Sequence, residues 1–160
     1  MALLNLSPPP FKSKVLNGLM LLSEPWTKFI LRLFERVKIL QTEVLIFDVS
    51  RDEATNLSTG TGKFALTMPF AFVVSEIRAT VTTAPVGSTI IVDANEDGAT
   101  ILSTKVSIDA GEKTSNTAAT PAVLSDSELA ENAELTIDID QVGSSTPGTG
   151  LKLFLFGVRR

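Results

Sequence analysis

Glu134-Leu135-Thr136-Ile137-Asp138-Ile139-Asp140 is the stretch that decides the fold class. Leu135, Ile137 and Ile139 alternate with Thr136, Asp138 and Asp140, the period of two expected of a strand with one wet and one buried face. The period recurs along the chain. Leu151, Leu153 and Leu155 alternate with Lys152, Phe154 and Phe156. Val73, Ser75, Ile77, Ala79 and Val81 alternate with Glu76, Arg78, Thr80 and Thr82. Val44 and Ile46 alternate with Leu45, Phe47 and Val49, a run apolar on both faces. Further strands are predicted over 63–67, 89–94, 100–109 and 122–124. Turn signals separate them at Gly60-Thr61-Gly62, Ala84-Pro85-Val86-Gly87, Asn95-Glu96-Asp97-Gly98, Asp109-Ala110-Gly111 and from Gly143 to Gly150. About eight short strands with Gly and Pro turns predict a mainly β fold, an antiparallel jelly-roll-like β-sandwich over residues 41–160. Ser125-Asp126-Ser127-Glu128 has capping-box spacing and predicts one short helical turn between the sheets.

Upstream of this region the period changes. Trp26, Phe29, Ile30, Leu33, Phe34, Val37 and Leu40 share one face of a helix over residues 24–40. Ser23 offers an N-cap, and Pro25 sits in the first turn, where its missing N–H costs nothing. Lys28, Arg32, Glu35 and Arg36 occupy the opposite side. Before the helix, Pro8, Pro9 and Pro10 favour an extended polyproline arm over residues 1–22. Leu3, Leu4, Leu6 and Phe11 make that arm apolar, suited to lying along another surface. Residues 1–40 therefore read as an arm and amphipathic helix, and residues 41–160 as the sandwich.

The composition narrows function. The chain has 160 residues, 44% apolar and 20% charged, one domain with an appended arm. It contains no Cys, His or Tyr. Thiol and imidazole catalysis are excluded, as is any zinc site built on those ligands. An enzyme here would have to use carboxylates, Lys, Arg, Ser or Thr, so the alphabet leans toward structure or binding. Residues 1–40 carry six bases and two acids, residues 41–160 eight bases and sixteen acids. The acidic body argues against nucleic-acid binding, which needs clustered Lys and Arg. The short basic, apolar part suits an acidic protein surface, and also a membrane surface. No apolar run approaches the ~18 residues of a membrane span. Val15 to Leu22 is interrupted by Asn17-Gly18 and precedes no cleavage site, so it is not expected to act as a signal peptide.

Three motifs invite chemistry. Asp93-Ala94-Asn95-Glu96-Asp97-Gly98 matches half a calcium loop, but the twelfth position is Thr104 rather than a bidentate Glu. We read it as a hairpin turn with Gly98 at positive φ, and expect no metal. Gly60-Thr61-Gly62-Lys63 lacks the Ser or Thr of a phosphate loop, since Phe64 follows, and reads as a turn into a strand. Asp138 and Asp140 resemble a glycosidase pair, but alternation alone explains them as the wet face of a strand. No catalytic residue and no cofactor are expected. The aromatic helix face, with Phe154 and Phe156 on the last strand, either packs within the protein or meets other chains. We place partner and oligomer contacts at Pro8, Pro9, Pro10, Phe11, Trp26, Phe29, Ile30, Leu33, Phe34, Val37, Phe154 and Phe156.

From about Thr42 to Val158 the chain resembles a β-sandwich domain of tailed-bacteriophage virion proteins. The resemblance rests on Thr67-Met68-Pro69-Phe70-Ala71-Phe72, Gly87-Ser88-Thr89-Ile90-Ile91-Val92-Asp93, Ser107-Ile108-Asp109-Ala110-Gly111-Glu112-Lys113-Thr114-Ser115, Asp138-Ile139-Asp140-Gln141-Val142-Gly143 and Gly150-Leu151-Lys152. The prolines followed by Pro25-Trp26, Phe29 and Leu33 are similar to leader segments of phage structural proteins. The resemblance implies a capsid decoration (cement) protein on the virion surface, or a head or tail fibre binding host glycans. It implies a homotrimer, a partner such as the major capsid protein, and no catalytic motif. The absence of an internal repeat favours decoration over a fibre shaft.

Overall fold

The computed structural model describes residues 14–16, 19–21, 24–40 and 42–160, with side chains at 24–34 and 42–160. Pro8, Pro9, Pro10 and Phe11, and the side chain of Val37, lie outside the described residues. The chain divides into two compact units, Met1–Thr42 and Glu43–Arg160.

The first unit holds β1 (Lys14–Leu16), β2 (Leu19–Leu21) and α1 (Glu24–Leu40). β1 and β2 pair antiparallel, with Leu16 opposite Leu19. A hairpin thus replaces the described part of the expected extended arm. The helix has the bounds its 3.6 period predicts. Glu24 and Lys28 form an exposed i,i+4 ion pair at 2.7 Å, a contribution of only a few tenths of a kcal/mol, ~0.3–0.5.

The second unit is the sandwich. Its strands are β3 (Glu43–Asp48), β4 (Gly60–Thr67), β5 (Phe72–Thr80), β6 (Ile90–Glu96), β7 (Ala99–Thr100), β8 (Leu102–Thr104), β9 (Val106–Ile108), β10 (Val123–Leu124), β11 (Glu128–Leu129), β12 (Glu134–Gln141) and β13 (Lys152–Arg159). One sheet runs β11-β5-β13-β3, the other β4-β12-β6-β7, with β9 also on β6. Taking β7 to β9 as one broken strand, and setting aside the two-residue β10 that pairs with β8, leaves eight principal strands, first beside last, second beside seventh, third beside sixth and fourth beside fifth or beside seventh. That order is the jelly roll, and every named pairing is antiparallel. Alternation supplies the core. Leu151, Leu153 and Leu155 from β13 and its approach meet Leu135, Ile137 and Ile139 from β12, all buried, with Phe47, Met68, Phe72, Ile90 and Val92 around them. Burying each such side chain contributes about 1.5–3 kcal/mol.

Three local expectations change. β5 is not one uninterrupted alternation. Phe72 and Val74 point inward, Ser75 and Glu76 are both exposed, and Ile77 and Ala79 point inward again. Ser75 is an extra residue between the pairs Glu76 with Phe156 and Val74 with Gly157, and its hydroxyl donates to the Phe156 carbonyl at 3.0 Å. Residues 100–109 form three short strands rather than one, because consecutive Ile101 and Leu102 are both buried and a straight strand cannot turn both inward. The Ser125–Glu128 helical turn is absent. Asp126 accepts from the Glu128 amide at 3.0 Å, a local turn that feeds β11 onto β5. The one short helical turn described in this unit is a 3-10 turn at Ser115–Thr117, capped by the Thr114 hydroxyl.

Candidate interaction surfaces

Because β13 is central in its sheet, its inward leucines leave Phe154 and Phe156 on the outer face. Register sets their neighbours. Phe154 lies opposite Ile46 on one side and Arg78 on the other, and Phe156 opposite Val44 and Glu76. Val44 is 42% exposed and Ile46 60%, while Phe154 and Phe156 are half-buried. These four side chains form an apolar patch on a face that alternation would otherwise leave polar. Arg78 partly roofs it, its guanidinium 4.9 Å from the Phe156 ring centroid. Glu76 holds Arg78 in a two-point ion pair at 2.5 and 2.9 Å and pushes its pKa up. Val44 and Ile46 are the members that sequence reasoning left out of the contact set. Their signal was visible in the two-faced apolar run of β3.

Beside this patch an open groove of about 480 Å³ lies between β5, the 3-10 turn and Pro121–Leu124. Glu76, Arg78, Asn116 and Val123 line it.

On α1, Trp26, Phe29 and Ile30 are half-buried, with the Trp26 and Phe29 rings edge to face at 5.6 Å. Further along the same stripe Leu33 is 38% exposed and Phe34 66%. Leu31, off the stripe, is also exposed.

The motif residues have structural partners. Asp97 at φ 48° and Gly98 at φ 83° form the two-residue turn between β6 and β7, as the hairpin reading expects. The carboxylates of the calcium-like segment diverge. Asp93, buried, accepts from the Thr100 hydroxyl at 2.6 Å and the Ala94 amide at 2.9 Å, and pairs with Lys105 at 2.9 Å. Asp97 accepts from the Glu134 amide at 2.8 Å. Asp140 meets the other side of the Lys105 ammonium at 2.5 Å. Asp140 and then Asp93 raise the Lys105 pKa and favour its ammonium form. Asp138 accepts from the Gly62 amide at 2.6 Å and the Asn95 side chain at 3.1 Å. Gly62, at φ 58°, lies where β4 carries two extra residues against β12. The glycine segment is therefore strand from Gly60 onward, and Asp138 ties its bulge to the sheet.

Fold and surface together define a jelly-roll sandwich whose most distinctive outer feature is aromatic and apolar. Compared with models of protein families and with curated proteins, the chain matches none. Among the described residues no helix is long and apolar enough to cross a membrane.

Proposed function

We propose that the protein is a non-enzymatic structural protein of a tailed-bacteriophage virion, a capsid decoration protein that binds the outside of the head and stabilises it. One observation carries this reading. An acidic jelly roll with its own core is a separate unit from a helix that exposes Leu33 and Phe34 beside Lys28 and Arg32. A self-contained body and a basic apolar attachment element are the two parts a surface-binding protein needs. The sequence resemblance supports the same reading. So does the fold by analogy, since jelly rolls recur in viral capsid proteins, although fold alone does not specify function. The partner is the major capsid protein or another virion protein, and the chain acts as a homotrimer on the capsid surface after synthesis in the host cytoplasm. Its acids and lysines serve the sandwich rather than catalysis. Quantitative mass spectrometry of virions tests the reading. Copies matching the head lattice support it, and a few copies per particle mean a fibre.

The second reading is a fibre domain binding host glycans. The groove lined by Glu76, Arg78 and Asn116 favours it, because planar polar groups near an apolar wall suit a sugar. Loss of glycan-array binding on Asn116→Ala would establish that reading over decoration.

A further inference from the structure

Among the described residues β3 is a sheet edge whose own sequence lacks the usual protective devices. Its register on β13 is unbroken from Glu43 to Asp48, and among the described residues no strand lies on its other side. Sheet edges are normally blunted by Lys, Pro, Gly, bulges or shortness. The edge strands β11 and β4 follow that rule. β11 has two residues, and β4 carries Gly60, Gly62, Lys63 and a bulge. Glu43-Val44-Leu45-Ile46-Phe47-Asp48 has none of these devices in its interior. It also has exposed Val44 and Ile46 on one face and half-buried Leu45 on the other.

We propose that β3 pairs antiparallel with β3 of a second copy of this chain, about a two-fold axis at Leu45. On the outer face, this register alone sets each apolar side chain of the strand opposite another apolar side chain. Side chains directly opposite must share a face, so only shifts by two residues are allowed. Centring on Leu45 sets Val44 opposite the second copy's Ile46, twice, on the outer face, and Leu45 opposite its counterpart and Glu43 opposite Phe47 on the inner face. Centring on Ile46 would set Val44 opposite Asp48, and centring on Val44 would set Ile46 opposite Thr42. The chosen register also keeps acids from facing each other. Both terminal acids are already engaged within their own copy, Glu43 by Arg159 at 2.9 Å and Asp48 by the Arg51 amide at 3.1 Å. The pairing joins two sheets into one and doubles the apolar patch formed with Phe154 and Phe156. It rests on the reading that the chain self-assembles, and not on what the assembly decorates. In a trimeric protein this isologous contact links trimers in pairs.

The test uses purified full-length protein, so it is decided without virions. The chain has no cysteine, which makes introduced thiols unambiguous. Under mild oxidation Val44→Cys/Ile46→Cys should form a covalent dimer, because its thiols lie on directly opposite residues. Val44→Cys alone and Ile46→Cys alone should not, because like residues sit diagonally at about 7–8 Å, beyond disulfide reach. Mixing the two single variants should restore the dimer. No cross-link in the double variant, or equal cross-linking in the single ones, overturns the register. Ile46→Lys should halve the assembly mass by analytical ultracentrifugation while leaving the circular dichroism spectrum intact. An unchanged mass, or a monomeric wild-type protein, overturns the pairing.

Discussion

The Arg78 guanidinium lies over the Phe156 ring, 4.9 Å from its centroid, so an aromatic on the central strand of one sheet is covered from one side only. The Glu76 carboxylate fixes Arg78 there, and the other side of the patch runs through Phe154 to exposed Ile46. A charged residue that lies over a ring this way sits at the rim of an apolar surface, where its alkyl stem adds to the surface and its charge stays in water. The arrangement gives the sheet an apolar centre with a polar margin, the plan of a protein contact.

Attachment should reside in residues 1–42. Removing them is expected to leave a soluble, β-rich domain that no longer binds particles, checked by circular dichroism and co-sedimentation. Trp26→Ala should weaken binding more than Lys28→Ala, since losing an aromatic anchor costs about 2 kcal/mol or more and a rim charge far less. A truncated protein that still decorated particles fully would move attachment into the sandwich.

Gly157→Ala should destabilise the sandwich by about 1–3 kcal/mol. An added Cβ at Gly157 would collide with the Val73 carbonyl oxygen and the Phe72 ring, on the strand that bulges at Ser75. Chemical denaturation checks this. A neutral result would mean that the bulge can relax.

Asp93→Ala should cost about 1–3 kcal/mol, because it leaves the Thr100 hydroxyl and the Ala94 amide without their acceptor. Combined with Lys105→Ala the losses should be less than additive. The coupling should be small, about 0.5–1 kcal/mol, because the Lys105 side chain is 43% exposed. Additive losses in the double-mutant cycle would show that the pair contributes nothing.

Acid should weaken the loop that Glu53 pins. Hydrogen bonds from Lys152 and then Thr82 hold the Glu53 carboxyl below the usual range, and amides of Thr55 and Ala54 do the same for Asp52. The unfolded chain then binds protons more readily than the folded one. The contribution is present in full above the unfolded value of about 4.3 for Glu, and is lost as pH falls through the lower folded value. The melting-temperature gap between wild type and Glu53→Gln should therefore close on acidification. A constant gap from neutral to acid pH would contradict the assignment.

Chelator should leave the melting temperature unchanged. Asp97→Ala should lower it, because Asp97 bonds the Glu134 amide and holds a positive φ that alanine disfavours. A large chelator effect would mean that the Asp93–Gly98 turn binds a cation after all.

Sequence periodicity and turn residues by themselves determined the mainly β class, the helix bounds and the hairpin at Asp97-Gly98. Each is a local choice, made where side-chain spacing or the φ preference of one residue admits a single backbone. Only the tertiary structure decided what depends on a neighbouring strand. The bulge at Ser75 exists because β13 presents Gly157 and Phe156 there, and no feature within β5 announces it. Residues 125–129 had the spacing of a helix start, yet β5 offered an open edge, and ladder hydrogen bonds to Val73 and Phe72 outweighed a single turn. Alternation placed Asp138 on the wet face of its strand, but that its carboxylate accepts from the amide of Gly62, 76 residues away in sequence, was decided by the sheet. The surface followed the same division. The apolar residues of β3 and β13 were readable one strand at a time, but that they share an outer face was set by register, which the chain acquires only on pairing.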